Sequence, residues 1–158
     1  MVNGLGFLTN LAAILFAVLF LEHTLRLEPC PLCIIDRLIV TAMGLVFLIA
    51  ALHNPSRTGR IIYAFLTFSL ALAGMAVTGR HIWLQNLPAD QVPECGATLD
   101  YMLETAPLLE TLEFIFKGSG ECAEVQWTFL GLSIPEQTLI LFTGLAALSL
   151  VQLARRSD

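Results

Sequence analysis

Charge is scarce in this 158-residue chain: 13% of the residues are charged and 56% are hydrophobic, against roughly 25% charged in an average soluble domain. Together with a mean hydropathy of +0.77, that deficit excludes an ordinary water-soluble globular domain. Eight Lys and Arg stand against thirteen Asp and Glu, a net charge of −5, and no nucleic-acid partner is expected. No charged side chain occurs from Met1 to Leu21, the first Lys or Arg is Arg26, and no Ala-x-Ala site follows the apolar run from Leu11 to Leu21. A cleaved signal peptide needs a basic start and such a site, so this stretch reads as an uncleaved first span. Internal repeats and low-complexity tracts are also missing.

What the chain has instead is apolar runs of spanning length. Three more follow the first: Leu38 to Leu52, ended by His53-Asn54-Pro55-Ser56; Ile61 to Val77, ended by Thr78-Gly79-Arg80; and Leu139 to Leu153, ended by Arg155-Arg156. A spanning helix needs about 20 mainly apolar residues. The expected fold class is therefore an all-α membrane protein, a four-helix transmembrane bundle in a single domain over 1–158, with spans near 5–22, 34–53, 61–79 and 136–154. Membrane lipid is its surroundings. Four spans put both termini on one side. Arg57 and Arg60 in the loop between spans two and three, and Arg155 and Arg156 in the tail, lie on that same side, which the positive-inside rule makes cytoplasmic. Loops 23–33 and 80–135 then face the periplasm of a bacterial inner membrane. Within the longer loop, Leu108, Leu109, Leu112, Ile115 and Phe116 share one side of a helical pattern, with Glu110, Glu113 and Lys117 opposite. The pattern predicts a short interfacial helix lying on the membrane, flanked by Pro93, Gly96 and Gly118-Ser119-Gly120.

A membrane bundle has no structural need for four cysteines, and all four fall on the outer face: Cys30 and Cys33 in the first loop, Cys95 and Cys122 in the second. Disulfides persist on that oxidising side; four cysteines permit three pairings. Cys30-Pro31-Leu32-Cys33 stands where the second span begins, where helix-end N–H groups favour a thiolate. A redox-active dithiol is the leading reading. A zinc site also uses C-x-x-C, but Cys95 and Cys122 are separated by 26 residues rather than repeating the short spacing, and no metal is expected. Structural bridges are the other alternative, giving a non-catalytic four-helix membrane protein with stapled loops, although a C-x-x-C bridge closes too short a loop to remove much chain entropy.

Arg37 lies four residues after Cys33 on the same helical face. It is placed to donate hydrogen bonds to the carbonyl oxygen of a two-electron acceptor docked beside Cys33. A membrane quinone suits such a site. The ordinary alternatives are interfacial snorkelling and an ion pair with Asp36.

The C-x-x-C with Arg four residues on, the four spans and the segment Gly118-Ser119-Gly120-Glu121-Cys122-Ala123-Glu124-Val125-Gln126-Trp127 together resemble the bacterial disulfide bond formation protein B (DsbB) family, quinone-dependent oxidases that reoxidise the periplasmic thiol oxidase DsbA. The resemblance implies an enzyme, a disulfide-forming thiol:quinone oxidoreductase, with ubiquinone or menaquinone as acceptor and a periplasmic DsbA-like partner. It implies a Cys95–Cys122 disulfide attacked by the partner's thiolate at Cys95, an inter-loop bridge from Cys122 to Cys30, and release of Cys33 to interact with the quinone ring. By the same resemblance Arg37 is quinone-proximal and Trp127 stands near the ring, with an interfacial anchor as the alternative for Trp127. His81, just beyond span three, is a further cofactor-binding candidate, with a plain surface histidine as its alternative.

Overall fold

Four helices are long and apolar enough to cross a membrane: α1 (Val2–Thr24), α2 (Pro31–His53), α3 (Arg57–Gln85) and, after a short turn α4 (Gly120–Ala123), α5 (Ile134–Ala154). The structure, a computed structural model, describes residues 2–88, 90–92, 107, 109, 110, 118 and 120–154. Cys95 and most of the expected interfacial helix at 108–117 lie outside the described residues.

The helix boundaries follow from local chemistry. Pro31 sits in the first turn of α2, with Cys30 extended before it; a proline there forfeits only an N–H that has no helical partner anyway. The second helix thus starts earlier than 34 and takes Cys33 into its first turn. At its other end Asn54 adopts a left-handed conformation, φ 42°, and Pro55 stops continuation. The third helix overruns the expected end at 79. Arg80 stacks over the Trp83 ring at 4.1 Å, an i, i+3 contact that lets the helix carry its charge past Gly79 to Gln85.

Helix α1 packs along α2, α2 against α3, and α3 along α5. Val40, Met43, Phe47, Ala71, Phe142, Leu145 and Ala146 fill the middle. Small residues permit the close approaches, as membrane helix packing requires: a Cβ on Gly74 would stand 2.4 Å from the Phe142 ring, and one on Gly6 2.8 Å from Phe47. Polar side chains tie helices together inside the apolar region. Thr67 and Ser149 join α3 to α5 at 2.8 Å, Gln152 donates to Asn3 across α5 and α1 at 2.8 Å, and Thr78 of α3 donates to Asp36 of α2 at 3.2 Å. Leucines such as Leu8, Leu38, Leu45 and Leu52 stay exposed. In a spanning bundle these are the lipid-facing side chains.

Two features shape the cysteine end. Helix α1 widens into a π-helix over Phe16–Thr24, with Leu25 N–H reaching back five residues to Phe20 O. Such insertions cluster at functional sites. A two-stranded hairpin, Thr128–Phe129 with Leu132–Ser133, turns through Leu130 and Gly131, both at positive φ, and leads into α5, where the Glu136 carboxylate accepts from Ser133 N–H at 2.6 Å. Because α1 and α5 touch only lightly, a cleft remains open between them.

Candidate active site

Cys30 precedes α2, and Cys33 sits in its first turn. Their sulfur atoms are 3.1 Å apart as free thiols, Cys30 donating to Cys33. Cys30 is buried, and so is Cys122, which α4 carries into the same cluster with Leu32, Val77 and Leu84. The Cys122 thiol beside it first, then the hydrogen bond to Cys33, then burial, push the Cys30 thiol well above the usual thiol range. Cys30 is held as a thiol.

His81 meets this cluster from α3. It is 3% exposed, with Nε2 3.8 Å from the Cys30 sulfur, and it hydrogen-bonds the main chain of Cys122. It is thus a buried site residue inside the helix, neither beyond it nor on the surface, because α3 runs on to Gln85.

Beside the thiols lies the cleft between α1 and α5, about 660 Å³ including its mouth. Ala13, Ile14, Ala17 and Leu21 form one wall and Ile134, Thr138 and Leu141 the other; Cys33, Asp36, Arg37 and His81 stand at the end of the cleft. This combination of apolar walls with a few convergent polar groups is what small-molecule sites present. A lipid groove lined by Phe16, Gln137 and Trp127 adjoins it along the same helices.

Arg37 is ion-paired with Glu22, from the π-helical end of α1. The expected alternative partner Asp36 is excluded by helix geometry, since adjacent residues on a helix do not face one another; Asp36 turns inward, buried, and accepts from Thr78 at 3.2 Å. Trp127 packs against Phe16, Phe20 and Phe129 with ring centroids 6.0 Å away in each case. It lines the adjoining groove and a second small cleft over Cys30 and Cys33 rather than the main cleft. The structure therefore brings together Cys30, Cys33, Cys122, His81 and Arg37, with Trp127 at the edge. Glu22 and Asp36 were not among the residues the sequence singles out as sites. An acid at the end of the first span and one a turn past Cys33 are the signals that mark them.

Fold and site together define a multi-pass helical membrane protein with clustered thiols at one end of its bundle. The sequence model of a family described as disulfide bond formation protein DsbB matches residues 1–152. Relatives named disulfide bond formation protein B are similar along nearly their whole length: one from Nitrosococcus oceani is 55% identical over 96% of this chain and 89% of its own, one from Hahella chejuensis 53% over 87% and 83%, and one from Methylococcus capsulatus 51% over 94% and 90%. The chain belongs to the DsbB family of disulfide bond formation proteins.

Proposed function

We propose that this protein is an inner-membrane thiol:quinone oxidoreductase that reoxidises a periplasmic DsbA-like dithiol oxidase and passes the electrons to ubiquinone or menaquinone. The observation that carries the reading is the cleft itself: Cys33, Arg37 and His81 share its polar end, while its walls are apolar and continue into a groove along α1 and α5. These residues fit a flat, carbonyl-bearing ring with a lipid-soluble tail. With Arg57 and Arg60 marking the cytoplasmic side, the thiols face the periplasm and both termini the cytoplasm.

The thiol chemistry is a relay of exchanges, each an attack of a thiolate on a disulfide sulfur. The partner's thiolate attacks Cys95 of a Cys95–Cys122 disulfide and frees Cys122. Cys122 attacks Cys30 of the Cys30–Cys33 disulfide, forming the Cys30–Cys122 bond and releasing Cys33. The burial of Cys30 and Cys122 in one cluster supports this step. The partner's second thiol then resolves its bond to Cys95 and leaves oxidised. Re-pairing of Cys33 with Cys30 and of Cys122 with Cys95 removes two electrons and two protons from the thiols of Cys33 and Cys95. A bound quinone supplies a two-electron, two-proton acceptor. Arg37 holds the carbonyl end by charge-assisted hydrogen bonds, its side chain oriented by Glu22. Asp36, fixed by Thr78, and His81 line the same cleft.

In quinone-containing membranes carrying this protein, a reduced DsbA-like partner is expected to be oxidised with one quinol formed per disulfide. Disulfide formation without quinol would overturn the assignment of the acceptor.

A further inference from the structure

Cys30, Cys33 and His81 come from two helices, yet their ligand atoms all lie within 4.8 Å of one another. The sulfurs are 3.1 Å apart, and Nε2 is 3.8 Å from the Cys30 sulfur. Donors on a common tetrahedral zinc ion stand roughly 3.8 Å apart, given Zn–S bonds of about 2.3 Å. Closing this set around an ion takes shifts of under about 1 Å. His81 also has a main-chain partner at Cys122, the kind of outer bond that orients a ligating imidazole. An entry path exists as well: a small cleft over the thiols is lined by Glu121 and Glu124 together with Cys30, Cys33 and His81. Two carboxylates at a cleft mouth raise the local concentration of cations.

We propose that the reduced protein binds one thiophilic divalent cation of the zinc class through Cys30, Cys33 and His81, with a solvent molecule in the fourth position. The C-x-x-C is completed here by a histidine from another helix, so the lack of a second short cysteine spacing does not bear on the site. Binding replaces the two thiol protons, which pass to solvent; no electrons move. While the ion holds Cys30 and Cys33, their sulfurs cannot bond to each other. The metal therefore arrests the protein in its reduced form, a consequence that rests on the thiol-oxidase reading above. The oxidised protein, with Cys30 and Cys33 joined, offers no such site.

The test is an anaerobic cobalt titration of the full-length reduced protein in nanodiscs, free of quinone and partner. One equivalent of Co2+ should produce sulfur-to-cobalt charge-transfer absorption and the intense visible bands of tetrahedral cobalt, both abolished by Zn2+ and both missing from the oxidised protein. Cys33→Ser should lose one of the two sulfur contributions, whereas His81→Ala should keep both and shift the visible bands. Each variant should bind at least about tenfold more weakly, since even outer partners of a metal-ligating histidine are worth about 10–100-fold. A reduced protein without the charge-transfer band, or one whose spectrum and affinity are unmoved in both variants, overturns the site. A cobalt spectrum in a protein that does not oxidise thiols upholds the site and defeats the functional reading; turnover without a cobalt spectrum does the reverse.

Discussion

Replacing Cys33 with serine should lower the oxidation of a reduced DsbA-like partner by at least about a thousandfold, the scale on which loss of a covalent participant acts. Serine is nearly isosteric and the site is half-buried, so the bundle should fold. The loss is chemical. A hydroxyl forms no disulfide with Cys30, so electrons from the partner have no exit. With no Cys30–Cys33 disulfide to receive the exchange, the variant should oxidise one equivalent of partner at the Cys95–Cys122 disulfide and then stop with Cys30, Cys95 and Cys122 all as thiols. Steady-state thiol consumption and the thiol count after one turnover, read on the same sample, check both halves. Unimpaired turnover in Cys33→Ser would remove Cys33 from the relay.

The second large effect belongs to Arg37. A hydrogen bond to a charged group contributes roughly 1.5–3 kcal/mol, which corresponds to about 10–150-fold in an equilibrium constant at 1.4 kcal/mol per decade. Arg37 is partly exposed, and Glu22 shares its guanidinium. The expected rise in the quinone KM of Arg37→Ala is therefore near the lower bound, about tenfold. Arg37→Leu should match it. Arg37→Lys should recover only part, because an ammonium keeps the charge but lacks the planar fork. The KM for the thiol partner, which meets the protein at Cys95 in the proposed relay, should not change. Quinone KM and kcat both unaltered in Arg37→Ala would refute the role.

What was legible in the sequence is what depends on neighbours along the chain. The apolar run after Arg37 announces a helix beginning near 34, just past the C-x-x-C, and the three-residue separation of Cys30 and Cys33 alone places their sulfurs within reach. Arg37 follows Cys33 by one turn, so its place beside the thiol follows from helical periodicity. Contacts between distant segments were not legible. Glu22 reaches Arg37 across two helices, from a π-helical stretch of α1 that no residue pattern in Phe16–Thr24 announces. His81 was misplaced because Gly79-Arg80 reads as a helix stop, whereas the stacking of Arg80 on Trp83 keeps α3 intact and turns His81 inward. The meeting of Cys122 with Cys30 depends on α4 docking against α3. Only the family resemblance pointed to it.

The central claim is that the Cys30–Cys33 pair is emptied of electrons by the membrane's quinone pool. It is tested most directly by trapping thiols in membranes carrying the protein, with the pool held first oxidised and then reduced, and counting alkylated Cys30 and Cys33 by mass. The pair should be a disulfide when the pool is oxidised and alkylatable when it is reduced, whereas a pair found in the same state under both conditions would contradict the account.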